Sequence, residues 1–261
     1  MANQINEHPF TDYEPNTTMY WEGSDTEKRW NSNIRHSHSS SYKRLKEFGW
    51  FDAEPIEYNI DSNGFRNTND IDISKSIMTL GCSFTFGTGL HEKDIWPTLL
   101  GKKFGGVYNC GVGGASADQC YRIARTLIPE HKPKAVFLLT PDKNRTEVIS
   151  EFMNLNRPMN LSIWNESTPV YKDYLKLKSD EFSQLLQQER NVLSIKRLCG
   201  EENIPFVYLN YENLENLYAN TDTDIDLFNS TGQARDLLHA GLEFHNILTD
   251  MMWTEFKQVM R

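Results

Sequence analysis

The sequence predicts an α/β protein, a three-layer α/β/α sandwich on a mostly parallel sheet. From Ser76 onward short apolar runs alternate with longer amphipathic ones, the pattern of strand–helix–strand units. One short run, KAVFLLT at 134–140, is almost wholly apolar, as a strand covered on both faces must be. Ser83, Gly111 to Gly114 and Asp142 to Asn144 each follow an expected strand, which gathers them at the carboxyl rim of the sheet, where such sheets bind ligands.

Residues 1–57 are polar and aromatic-rich, without clear periodicity. Trp21, Trp30, Trp50 and Phe51 mark them as an extension packed on the rest of the chain, with a short helix near 40–48. YNIDSNGFRN (58–67) reads as a turn, with Asn63 and Gly64 at positive φ. SIMTLG (76–81) is the first strand of the alternation. Residues 94–105 have helical spacing despite Pro97, and GVYNCG (106–111) is the second strand. Residues 116–133 open with Ser116 as N-cap and run as an amphipathic helix. The third strand is 134–140. Prolines, asparagines and scattered aromatics then interrupt the pattern over 141–178, an insertion. A long helix (179–203), a fourth strand (204–210), a polar acidic stretch (211–235) and a last helix from about His239 to Val259 complete the chain. The expected organisation is an extension (1–57) on one domain (58–261) that carries the insertion.

With 261 residues, 38% of them hydrophobic and 12% aromatic, the chain can bury a substantial core. A formal charge of −9 argues against nucleic-acid binding, and the Lys43, Arg44, Lys46 cluster is too small to reverse that. No apolar window is long enough for a membrane helix, and residues 1–18 lack the basic and apolar regions of a secretory signal. Cys82, Cys110, Cys120 and Cys199 form no C-x-x-C pair and read as free buried thiols of a reducing compartment.

Three stretches can carry chemistry. Ser83 stands between a strand and a helix, where its oxygen can reach the sheet rim and its own N–H can face an anion. A helix-capping serine fits the same place. A nucleophilic serine needs a base, and the base needs an orienting group. ARDLLHAG supplies both: Asp236 lies three residues before His239, so a carboxylate can reach Nδ1 and leave Nε2 for the serine proton. A capping aspartate beside a surface histidine has the same spacing. In NCGVGGAS (109–116) the glycines leave backbone N–H groups unshielded, which suits an oxyanion hole, a phosphate cradle or a tight turn without a ligand. Neither phosphate-loop spacing is present. Cys82, beside the serine, reads as a small packing residue. DTDID (222–226) begins like a calcium loop, but Leu227 and Gln233 stand where glycine and glutamate are needed. His36 and His38 have no partner at metal spacing. No metal site is expected.

Together these blocks resemble the SGNH (GDSL-type) hydrolases, in the branch found in bacteria and bacteriophages. Gly81-Cys82-Ser83 stands for the first block, Asn109-x-Gly111-x-x-Gly114 for the second and Asp236-x-x-His239 for the last. Asn63 to Arg66 (NGFR) and the DIWPTLL run strengthen the likeness. The resemblance implies a flavodoxin-like SGNH fold and serine acyl transfer on an ester through an acyl-serine intermediate. Ser83 would be nucleophile and oxyanion donor, and Gly114 the second donor, with Gly113 a contender. His239 would be the base and Asp236 its orienter, with no cofactor. The family's Gly-x-Asn-Asp block is altered here to LLTPDKNR: Asn144 stands late for the third oxyanion donor, ionised Asp142 cannot donate, and Arg145 can substitute. Losing one such donor costs roughly 10²–10³ in turnover, so a slow enzyme is expected. The implied substrate is a short acyl ester of a carbohydrate or small molecule, with Trp164 and Tyr171 available to line a cleft or anchor the insertion. An acyltransferase on the same scaffold is the second reading. A weakly active binding or structural protein, for instance of a virion, is the third. The expected location is cytoplasmic or virion-associated.

Overall fold

Alternate residues of the apolar run at 135–139 enter different cores. Val136 and Leu138 join one apolar cluster, while Ala135, Phe137 and Leu139 join another. Such a strand needs a layer on each face. A computed structural model of the chain, which describes residues 9–68, 71–150, 155–162, 172, 173, 176, 180–211, 214 and 232–261, supplies both.

The elements are, in order, β1 (Thr17–Met19), α1 (Glu27–Ile34), α2 (Ser40–Glu47), β2 (Tyr58–Ile60), β3 (Ile77–Gly81), the single-turn α3 (Ser83–Phe86), α4 (Trp96–Gly101), β4 (Val107–Gly111), α5 (Ala117–His131), β5 (Val136–Thr140), β6 (Thr146–Ser150), β7 (Leu155–Leu161), α6 (Glu181–Glu201), β8 (Phe206–Asn210) and α7 (Leu242–Val259). The central sheet has the order β4-β3-β5-β8, all parallel. In register Gly81 pairs with Gly111, so the two glycine-ended strands finish side by side.

Helices α5 and α6 cover one face, where Cys120, Ile123, Leu127, Val192 and Ile195 meet Met78, Leu80, Val136 and Leu138. On the other face Trp96, Leu100, Phe244, Leu248 and Met252, from α4 and α7, meet Ile77, Phe137, Leu139 and Val207. All four cysteines are free and buried. Among the described residues no helix is long and apolar enough to cross a membrane.

The N-terminal residues are more ordered than their composition implies. Thr17–Met19 pairs antiparallel with Tyr58–Ile60, so the 58–67 stretch begins as a strand before it turns. Of Asn63 and Gly64 only Gly64 takes positive φ, at 83°. The expected helix at 40–48 is present as α2, capped by Ser39, and α1 precedes it, capped by Thr26. Leu45, Trp50, Ile56, Tyr58 and Ile60 form a third core with Phe86, Leu90 and Ala234. The helical spacing at 94–105 resolves into a 3₁₀ turn (Glu92–Asp94) and α4, which accepts Pro97 in its first turn, where no N–H is needed.

The last helix starts at Leu242 rather than His239. Leu237, with φ 58°, breaks the helical path and leaves Asp236 and His239 on a turn. Within the insertion β6 and β7 form an antiparallel hairpin. Arg122 of α5 grips Glu147 of that hairpin through Nε and Nη2, at 2.8–3.1 Å, with both side chains buried. Trp164, Tyr171 and the 222–226 stretch lie outside the described residues.

Candidate active site

The turn carrying Ser83 is pressed against the strand ends. A Cβ on Gly81 would lie 2.1 Å from Thr85 Oγ1 and 2.8 Å from the Leu139 carbonyl oxygen. One on Gly111 would lie 2.4 Å from the Phe86 nitrogen. Only glycine permits this backbone contact. Asn109 locks it: its Nδ2 donates to the Thr85 carbonyl (3.0 Å), while its Oδ1 accepts from Gly111 N–H (3.0 Å) and Thr79 Oγ1 (3.1 Å). Arg66, fully buried, donates to the carbonyls of Phe86, Gly87 and Leu90 at 2.7–3.0 Å and holds the segment after α3. Burial pushes its pKa down, while neighbours that include Tyr58 and Glu22 work in the opposite direction. Cys82 occupies the N-cap position of α3, and Ser83 is the first helical residue, which frees its side chain from capping.

Ser83 Oγ lies 2.8 Å from His239 Nε2, and His239 Nδ1 lies 2.7 Å from Asp236 Oδ2. The three residues, spread over 156 positions of sequence, form one hydrogen-bonded line. Asp236 Oδ1 accepts the N–H groups of Leu238 (3.0 Å) and His239 (3.1 Å), which fixes the carboxylate inside its own turn. Burial works against ionisation of Asp236. The His239 contact, the Ser24 hydroxyl and the Leu238 N–H outweigh it and hold the carboxyl below the ordinary aspartate range. The Phe84 ring packs edge-on against the His239 imidazole at 5.2 Å. Ser83, at the end of the line, is buried, at 8% exposure.

The glycine turn after β4 differs between its two candidates. Gly113 N–H is engaged by Tyr13 Oη (3.3 Å), whereas no hydrogen bond among the described residues occupies the Gly114 N–H. Gly114 has φ 71°, and a Cβ added there would meet no atom within 4 Å, so the turn is open on that side. Beside it lies a cleft of about 370 Å³ bounded by Thr11, Tyr13, Glu22, Gln119 and Asn160. Asn160, from the hairpin, accepts Ser116 N–H (3.1 Å) and donates to Gln119 Oε1 (2.6 Å). After β5, Asp142 Oδ1 accepts the Asn144 N–H (2.9 Å), an Asx turn, while Arg145 Nη1 reaches the Ala115 carbonyl (3.4 Å), next to Gly114.

The part of the site that sequence reasoning missed comes from residues 13–25. Ser24 Oγ donates to Asp236 Oδ2 at 2.5 Å. Asp25 is ion-paired with Arg235 through Nε and Nη2, at 2.5–3.2 Å, and Arg235 also stacks on Trp21 at 4.2 Å. Tyr58 Oη donates to Asp25 and accepts from Gly89 N–H. Tyr13 Oη donates to Glu22 (2.7 Å), whose second oxygen accepts from Thr88 (3.3 Å). Burial raises the Glu22 pKa above the usual carboxylate value despite these donors and His239 nearby. No local motif announces any of these residues. The polar run EGSD (22–25) is the one visible trace.

His245, on α7 and 1% exposed, accepts Trp96 N–H at Nδ1 (3.0 Å). Burial, with help from His239 and Arg66, pushes its pKa down to about 3. The unfolded chain takes up this proton near the ordinary histidine value, and the folded chain does not until about pH 3. Stability therefore falls as pH drops from roughly 6.5, by about 2–3 kcal/mol at pH 4.5–5 at ~1.4 kcal/mol per pH unit. Urea midpoints measured from pH 7 to 4.5 should decline, and less steeply in His245→Gln. Equal slopes in the two proteins would remove His245 as the source.

No family model matches the chain, and neither does any curated protein. Among solved structures it is similar to the psychrotrophic esterase EstA from Pseudoalteromonas sp., at 14% identity over 70% of this chain and 97% of that one (TM-score 0.34). It is similar also to a GDSL-like lipase from Bacteroides thetaiotaomicron, at 13% identity over 74% and 92% (TM-score 0.35). A third is the acetylxylan esterase Axe2 from Geobacillus stearothermophilus, at 13% identity over 72% and 96% (TM-score 0.35). At this degree of overlap the reaction has to be read from the site's own geometry.

Proposed function

We propose that this chain is a serine carboxylester hydrolase of the GDSL type. The observation that carries the reading is the continuous line Ser83 Oγ–His239 Nε2–Nδ1–Asp236, at 2.8 and 2.7 Å, beside an open Gly114 N–H. His239 Nε2 takes the hydroxyl proton as Ser83 Oγ attacks the ester carbonyl carbon, and Asp236 stabilises the imidazolium. The carbonyl oxygen becomes the oxyanion, met by the N–H groups of Ser83 and Gly114. The engagement of Gly113 by Tyr13 favours Gly114 in this role. The reach of Arg145 toward Ala115 supports it, over Asn144 and Asp142, as the third donor. The tetrahedral adduct then expels the alkoxide, which takes the proton from His239. Water, deprotonated by the same nitrogen, releases the acid and regenerates Ser83.

The cleft beside Gly114, about 370 Å³, has hydroxyl, amide and carboxyl side chains on its walls together with Phe10, Val112 and Arg122. This favours small acyl esters of hydroxylated alcohols, including carbohydrates, over long-chain lipids. An acyltransferase would use the same residues with a hydroxyl in place of water.

The test is covalent labelling with a fluorophosphonate, read by peptide mass spectrometry. An adduct on Ser83 in the wild type, absent in His239→Ala, is the expected result. A folded wild type that stays unlabelled would sink the reading and leave a binding protein on this fold.

A further inference from the structure

We propose that Ser24 is a positioning residue of the Ser83–His239–Asp236 line: its hydroxyl donates to the same Asp236 oxygen that receives His239 Nδ1–H. The proposal rests on reading that line as a nucleophilic relay. Ser24 Oγ lies 2.5 Å from Asp236 Oδ2 and 3.4 Å from His239 Nδ1, so one hydroxyl stands at the junction of carboxylate and imidazole. Asp236 Oδ1 is already filled by two backbone N–H groups of its own turn. Among the described residues Oδ2 meets Ser24 Oγ and His239 Nδ1, and Ser24 adds a second fixed donor on the oxygen that faces the imidazole. A carboxylate that accepts fixed donors on both oxygens is held in one orientation, which is what an orienting group must supply.

The neighbours of Ser24 hold it there. Asp25, its successor, is pinned by the buried Arg235, its counterpart beside Asp236. The two adjacent pairs, Ser24–Asp236 and Asp25–Arg235, run between the same two segments. Glu22 and Asp25 also make a paired backbone turn, each N–H donating to the other's carbonyl at 2.9 Å, which presents Ser24 at its tip. The turn is 212 residues from its target, so the contact exists only in the folded chain.

A donor on Oδ2 also draws negative charge away from the face that Nδ1 meets. Removing it changes the charge that Nδ1 meets and leaves Oδ2 with one donor fewer. The other charged or titratable groups around the pair are Glu22 from the N-terminal segment, the Asp25–Arg235 pair, Arg66 beneath the α3 segment and His245 on α7. None of these is substituted in a change at Ser24, so a change in the pH profile reports the lost hydroxyl.

The experiment compares wild type, Ser24→Ala and Ser24→Thr on a short p-nitrophenyl ester across pH. The His239 Nδ1–H proton is followed in parallel by NMR, its signal assigned with His239→Ala. In Ser24→Ala, kcat should fall about tenfold, the worth of one positioned hydrogen bond, with KM unchanged. The acid limb of the pH profile and the Nδ1–H signal should both move, and Ser24→Thr should restore both. An Nδ1–H signal identical in wild type and Ser24→Ala overturns the proposal. So does a loss of kcat shared equally by Ala and Thr with no movement in pH, which is the mark of a folding defect. If the wild type shows no esterase activity, the hydrolase reading fails by itself. The Nδ1–H signal still decides whether Ser24 is coupled to Asp236 and His239.

Discussion

Replacing Ser83 by alanine should lower kcat for ester hydrolysis on the order of 10⁴-fold or more, to the background that binding and the oxyanion donors sustain alone. His239→Ala should do the same. The double variant should be no slower than either single one, because a proton-transfer line works as a unit and is already lost with its first member. Asp236→Asn should leave the geometry near 2.7 Å but favour the wrong imidazole tautomer, with a loss on the order of 10⁴. Steady-state kinetics on the four variants checks all of this. Single losses under tenfold, or losses that multiply in the double variant, would mean that the three side chains share a hydrogen-bond network without sharing a reaction.

Asp25→Ala should be among the most destabilising single changes in the molecule. It strands the Arg235 guanidinium, 8% exposed, in a site built around an ion pair. Breaking such a pair from one side costs roughly 3–5 kcal/mol. For a chain of this size that lowers the melting temperature by about 10 °C. The Tyr20 carbonyl, which accepts from Arg235 Nη2 at 2.8 Å, and the Trp21 ring remain beside the guanidinium but carry no countercharge. Because Arg235 adjoins Asp236, hydrolysis should fall along with stability. The paired change Asp25→Leu with Arg235→Met removes both charges and should cost less than Asp25→Ala alone, since no charge stays buried without a partner. Thermal melts and urea curves of the three proteins give the answer. A single variant as stable as wild type would show that the pair contributes little to folding.

The strand–helix alternation from Ser76 to Asn210 is legible because it is local. A run such as KAVFLLT has one stable use, as a strand buried on both faces, and the structure places it at the centre of the sheet with alternate side chains in opposite cores. The glycines at 81 and 111 are legible as sterically demanding, though what they admit, the α3 backbone, comes into view only in three dimensions. The sequence starts the last helix three residues too early because Leu237 carries no turn signal. Its left-handed φ is imposed by the fit of the Asp236 turn against Gly89, whose carbonyl accepts the Arg235 N–H.

Sequence by itself determined the alternation, the parallel sheet and the identity of Ser83, Asp236 and His239 as candidates, since spacing along the chain and the period of strands and helices are short-range properties. Only the tertiary structure decided which residues surround them. Ser24, Asp25 and Glu22 reach the site from more than two hundred positions away or through a strand pair that composition did not reveal. Their contacts depend on how an N-terminal segment settles across a finished sheet. Side-chain hydrogen bonds of that range leave no periodicity in a sequence, because what they require is one residue at one point in space.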